Sequence, residues 1–190
     1  MLSGRLCRNG GSVDTLTGVE HLAEPDGFRD FVEARSSALL RSGWLLTGDW
    51  PSAEDLVQTA LAAAWPRWSS LRRQDAPELY VRKIMVNTFL RWRQRRWNGE
   101  IATGRLPETQ AYDVFAQVDA RQSLLAALDR LPARQRAVVV LRYFADQTES
   151  QTAEAMGCSV GAVKSHASKA LARLRDAPGL AELMTGEVAS

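Results

Sequence analysis

From Phe28 onward the apolar residues recur every three or four positions, the spacing of a single helix face. Phe28, Phe31, Val32, Leu39, Leu45 and Leu46 form one broad stripe that ends near Gly48. A second helix opens at Pro51, a residue whose fixed φ suits the first helical position. Its apolar positions, from Ala53, Leu56 and Val57 to Trp65 and Trp68, keep an unbroken three-four spacing. "SSLRRQDA" (69–76) has no such spacing and reads as a loop before Pro77, which starts a third helix. That helix turns Val81, Ile84, Met85, Thr88 and Trp92 inward and Arg82, Asn87, Arg91 and Arg95 elsewhere. Periodicity fails over 98–118, where Gly99, Gly104 and Pro107 interrupt it, and returns over 119–130, 133–144, 148–156 and 159–175. "VVVL" (138–141) is the one strand-like run, and its helical flanks assign it to a helix. The pattern predicts an all-α chain: two small helical domains, 28–97 and 119–176, joined by a flexible linker over 98–118. The Gly-, Ser- and Thr-rich residues 1–27 are expected to be disordered, and 177–190 form a tail.

The last two helices carry local signals of their own. "TESQ" gives Thr148 and Gln151 the spacing of a capping box, Gly157 suits a left-handed helix end, and Ser159 suits an N-cap. Helix, short Gly-containing turn, helix is the helix-turn-helix signature. The second of these helices is also chemically one-sided. From Gly157 to Arg175 there are four cations (Lys164, Lys169, Arg173, Arg175) and no carboxylate. Lys164, Ser165, His166, Ser168 and Lys169 on such a helix can reach base edges or phosphates in a major groove. The same pattern also fits a solvated basic face on an ordinary bundle.

Net charge adds little, since 24 cations against 22 acids leave the 190-residue chain at +2. Its distribution adds more. Residues 66–97 hold nine cations against Asp75 and Glu78, whereas 98–119 hold Arg105 against Glu100, Glu108, Asp113 and Asp119. An acidic linker therefore separates two basic surfaces. In "FLRWRQRRW" (89–97) four arginines are interleaved with Trp92 and Trp97, which suits phosphate neutralisation beside flat surfaces for unstacked bases. Trp92 also continues the apolar stripe as a core residue would. Asn87 lies off that stripe, either as a solvated residue or as a donor and acceptor for a base. On the polar side of the second helix, Glu54, Asp55, Gln58 and Thr59 suit a basic protein partner.

Several chemistries are excluded. Two distant cysteines, Cys7 and Cys158, make no disulfide framework, and with only His21 and His166 beside them no metal-ligand spacing appears. No Ser/His/Asp or Cys/His constellation and no phosphate-type glycine loop is present, so the chain reads as a non-enzyme without a cofactor. No run approaches the ~18 apolar residues of a membrane span, and the N-terminus lacks a signal-peptide core. A cytoplasmic location without membrane insertion is expected.

"AEDLVQTALAAAW", "YVRKIMVNT", "LPARQRAVVVLRYF" and "CSVGAVKSHASKALARLR" together resemble the extracytoplasmic-function (ECF) group of bacterial sigma factors, over roughly 28–176. The resemblance implies a compact two-domain initiation factor, with sigma region 2 at 28–97 and region 4 at 119–176. The implied partners are core RNA polymerase, through the β′ clamp helices and the β flap, and promoter DNA, with an anti-sigma factor as a further candidate. Asp55, Leu56, Gln58 and Thr59 match the helix that meets the clamp. Leu71, Arg72, Arg73 and Gln74, with Asn87 and Arg91, match the pocket that reads the −10 element. Lys164, Ser165, His166, Ser168 and Lys169 match the −35 contacts. Ala162 departs from the family's usual Thr, and His166 stands where a second cation is common. A free-standing helix-turn-helix regulator is the alternative. It would leave the basic-aromatic helix and the 54–59 patch without a role.

Overall fold

The computed structural model describes residues 24–73, 77–97 and 115–177, and every regular element among them is helical, as the periodicity predicts. Helix α1 (Phe28–Thr47) starts behind Gly27 and stops at Gly48, both in the left-handed region. The Gly48 N–H closes on the Trp44 carbonyl at 2.8 Å. Helix α2 (Trp50–Ala64) begins where the Asp49 carboxylate accepts from the Ser52 N–H at 2.8 Å, with Pro51 in the first turn. A 3₁₀ turn (Trp65–Arg67) then leads into a short α3 (Trp68–Arg73).

Helix α3 corrects the expectation of a loop from 69 onward. Trp68 and Leu71, three residues apart, form a one-turn apolar face that is buried at 2% and 7% exposure. Trp68 and Trp65 close edge-on over Phe28, with centroids 4.9 and 4.7 Å away, and the Trp68 Nε1–H donates to the Asp26 carbonyl at 3.1 Å. Too short to show a period, the segment is helical because the tertiary aromatic cluster holds it.

Helix α4 (Pro77–Trp97) is the central element, packed against α2 within its own half and against the second half of the chain. Its second face explains another correction. Arg82, placed off the core by the stripe, is 4% exposed; it donates to Glu78 Oε1 at 2.9 Å and to Ser42 Oγ at 2.8 Å. A buried guanidinium is tolerated because these partners occupy its donors.

The second half comprises α5 (Phe115–Asp129), α6 (Ala133–Val139), α7 (Glu149–Met156) and α8 (Val160–Arg175). Helix α5 starts ahead of 119, so it takes in the end of the expected linker. Helix α6 runs on into a π turn (Val140–Phe144), and Val138 to Leu141 are all buried, so "VVVL" is helical. The capping box of Thr148 and Gln151, the left-handed Gly157 (φ 60) and the Ser159 cap on Ala162 N–H are all present.

The described core runs through both halves, from Leu39, Leu56, Met85 and Phe89 to Leu128, Val138, Leu141 and Met156. All six tryptophans lie between Trp44 and Trp97, which suggests a core belonging to that half, but the described core continues across both. Where the halves meet lies Arg136, 0% exposed. Its Nε donates to the Leu45 carbonyl at 2.7 Å and its Nη1 pairs with Asp129. Burial pushes this guanidinium below its ordinary pKa, against the opposing pull of the Asp129 carboxylate.

Candidate nucleic-acid interfaces

Helix α8 is anchored by Val163, Ala170 and Leu174, which are buried. Their spacing turns Lys164, Ser165, Ser168 and Lys169 outward, all exposed, with His166 half-buried at the edge. The Ser159 cap ties up a leading N–H, and Gly161 is exposed beside it, so the start of the helix carries no bulk. One exposed face thus combines two ammonium groups, two hydroxyls and an imidazole without a carboxylate of its own. Its acid comes from the neighbouring helix: Glu149 Oε2 on α7 stands 3.5 Å from Lys164 Nζ. Sequence spacing alone does not reveal this pair, because the contact runs between two helices.

On α4, Asn87 and Arg91 are exposed one turn apart, and Arg91 Nη2 donates to Thr88 Oγ1 at 3.1 Å. Asn87 is flanked by Val86 and Thr88, which are buried and fix its direction. The other members of the proposed pocket are less uniform. Arg73 is exposed, whereas Leu71 belongs to the core. Arg72 is drawn to Asp26, pairing with its carboxylate and donating to its carbonyl at 3.0 Å. Asp26 is thus a partner that no motif singles out. Gln74 lies outside the described residues, as does the Trp97 side chain. Trp92 is half-buried and packed on the core, favouring its structural role.

On α2, Glu54, Asp55, Gln58 and Thr59 form an exposed polar patch without a cation. Leu56 does not join them. It is 0% exposed, fixed in the core between Ala53 and Ala60, so it can hold the patch in place but cannot touch a partner. A cleft of about 800 Å³ separates α1 and α4 from the turn at 144–147, with Phe31, Arg35, Arg41 and Phe144 on its walls. Among the described residues no group of three or more His, Cys, Asp or Glu could hold a metal ion, and no helix is long and apolar enough to cross a membrane.

Two family models match the chain, one in each half. The family model "Sigma-70 region 2" matches residues 31–99, and "Sigma-70, region 4" matches 121–174. The RNA polymerase sigma-E factor of Streptomyces coelicolor is 40% identical over 149 residues, covering 78% of this chain and 84% of that one. The ECF RNA polymerase sigma factor SigG of Mycobacterium tuberculosis is 29% identical over 176 residues, covering 78% and 48%. Among solved structures, the sigma factor RpoE of Bartonella quintana, in complex with the anti-sigma factor NepR, superposes with a TM-score of 0.63. It is 24% identical, with 78% of this chain and 94% of that one covered.

Proposed function

The chain belongs to the sigma-70 family, in its ECF group, and as an RNA polymerase sigma factor it binds core polymerase and promoter DNA to direct initiation; we propose how its surfaces divide that work. The acid-free outer face of α8 reads the −35 element: Lys164 and Lys169 neutralise phosphates, and Ser165, His166 and Ser168 meet base edges. Asn87 on α4, with Arg91 one turn along and Arg73 on α3 supplying cations, captures a base of the −10 element once it leaves the stack. Asp55, Gln58 and Thr59 dock on a basic surface of the polymerase clamp. Arg72 joins the −10 site by exchanging Asp26 for a phosphate.

The observation that carries this assignment is α8 itself. Its buried residues fix its rotation, and that rotation leaves every candidate base reader except His166 fully outside. Relatives of the same fold are held by anti-sigma factors, as in the RpoE–NepR complex. The cleft between α1, α4 and the 144–147 turn offers apolar Phe31 and Phe144, with Arg41 and an Arg35 paired to Glu78 at 3.3 Å, to an amphipathic helix of such a partner. The proposed setting is the cytoplasm.

The test is transcription from a defined template by purified core polymerase with and without the chain. Run-off transcripts of one length, dependent on the chain and lost when the −35 element is scrambled, are expected. DNA binding without such transcripts would favour the free-standing regulator.

A further inference from the structure

The acid-free face of α8 has one carboxylate beside it, and that carboxylate comes from α7. Glu149 Oε2 stands 3.5 Å from Lys164 Nζ, the one ion pair among the described residues that joins the two helices of the helix-turn-helix. The backbone is fixed at both ends of the pair. Glu149 is the first residue of α7, inside the capping box in which the Thr148 N–H donates to Gln151 Oε1 at 2.8 Å. Lys164 follows buried Val163, and Thr152, one turn on from Glu149, is buried as well, so α7 and α8 are packed beneath the pair. The two side chains themselves are open to solvent, 64% exposed for Lys164 and 38% for Glu149. An exposed pair of this kind adds little to stability. The fold therefore has small need of Glu149. For DNA binding as such its charge is a disadvantage, because it repels phosphate and engages an ammonium that would neutralise one.

We propose that Glu149 is a further base reader of the −35 element, an acceptor for the exocyclic amino group of a cytosine; this rests on the assignment of α8 to that element. Within 3.5 Å of the Lys164 ammonium, the carboxylate stands at the same surface as the outer face of α8. When Lys164 turns to a DNA phosphate, Glu149 gives up its cation and needs a donor in its place. A carboxylate only accepts. Guanine presents N7 and O6 in the major groove, and thymine presents O4 and a methyl group, so neither supplies a donor. Cytosine N4 and adenine N6 both do. Adenine sets the N7 acceptor beside its amino group, where it opposes the second carboxylate oxygen, whereas cytosine has no acceptor of its own on that edge. Cytosine is thus preferred and adenine comes second. Guanine and thymine are refused, because they leave the carboxylate stripped of water without a partner. Glu149 lies on a different helix from the α8 readers, so it adds a position to the recognised sequence and selects there by exclusion.

The experiment uses the full chain with core polymerase on a promoter library randomised across the −35 element, and sequences the bound templates for wild type, Glu149→Ala and Glu149→Gln. At one position the wild type should favour cytosine over guanine or thymine by roughly five- to 150-fold, the range of a good base-specific pair. Glu149→Ala should flatten that position and leave the others as they are. Glu149→Gln should move the preference there from cytosine to adenine, because an amide accepts from N6 and donates to N7. Loss of a merely structural side chain produces no such switch. A defined template then carries N4-methylcytosine at that position, which keeps the pairing hydrogen and replaces the one facing the groove. It should cost the wild type as much as guanine does and cost Glu149→Ala far less; undiminished wild-type affinity would overturn the hydrogen bond. A wild-type profile retained by both variants would overturn the reader and leave the α8 assignment in place. The same holds for a preference for guanine, thymine or adenine that Glu149→Ala removes. A wild type without preference at any −35 position would overturn the α8 assignment, and the reader with it.

Discussion

Asn87→Ala isolates strand opening from folding. Asn87 is exposed on α4 between buried Val86 and Thr88, and no described hydrogen bond engages its side chain. Removing an exposed side chain of this kind changes stability by no more than about 0.5 kcal/mol. Alanine, the better helix former, offsets part of that. The melting temperature should therefore stay where it is. If Asn87 holds an unstacked base, loss of a base-specific pair costs about 1–3 kcal/mol, roughly a five- to 150-fold deficit in promoter opening. Closed-complex binding should change far less, because the contact forms only after the base leaves the stack. Permanganate footprinting follows the opened strand, and run-off transcription on duplex and pre-melted templates separates opening from capture. Pre-melting should rescue the variant in part and leave it less selective for the −10 base. Equal activity of variant and wild type on both templates would refute the pocket assignment and leave the family intact.

Two further surfaces make separable predictions. The double variant Asp55→Ala, Gln58→Ala should weaken co-purification with core polymerase while the ellipticity stays unchanged, because both side chains point away from the core; undiminished binding would remove the patch from the interface. Lys164→Ala and Lys169→Ala should each lower −35 affinity and reduce the salt slope by about one unit for a cation on phosphate. Lys164 already has Glu149 Oε2 at 3.5 Å, so the larger loss is expected at Lys169, whereas equal slopes for both variants and wild type would place neither on phosphate.

The features that depend on local chemistry are legible in the sequence. Gly48 and Gly157 end their helices in the left-handed region, and Thr148, Gln151 and Ser159 cap theirs, because such signals act within a few residues. The stripe on α8 is legible for the same reason: one face is apolar and the other is not. What the sequence leaves hidden is contact across the chain. Helix α4 is covered on two sides, so its inward and outward faces do not alternate cleanly, and Arg82 falls on a second buried face. Trp68 and Leu71 make α3 helical only because Phe28 and Asp26, 40 and 42 residues before Trp68, are there to receive them. In the candidate sites, Leu56 and Leu71 sit in motif positions yet serve the core, since a motif records residue order and does not record which side of a helix a partner approaches.

The same distinction limits what charge counting says about DNA. Nine cations crowd residues 66–97, yet they are not nine phosphate contacts. Arg82 is buried against Ser42 and Glu78, and Arg72 is engaged by Asp26. The two differ in what release would require. Arg72 is about half exposed and its partner Asp26 almost wholly so, and an exposed pair of this kind is worth about 0–1 kcal/mol. A DNA phosphate can therefore take the place of Asp26 at little cost. Freeing Arg82 would take the donor from buried Ser42, leave Glu78 with Arg35 alone and open the α1–α4 contact, a larger cost than parting an exposed pair. On the proposed assignment Arg72 is a cation held in reserve for DNA, whereas Arg82 belongs to the fold.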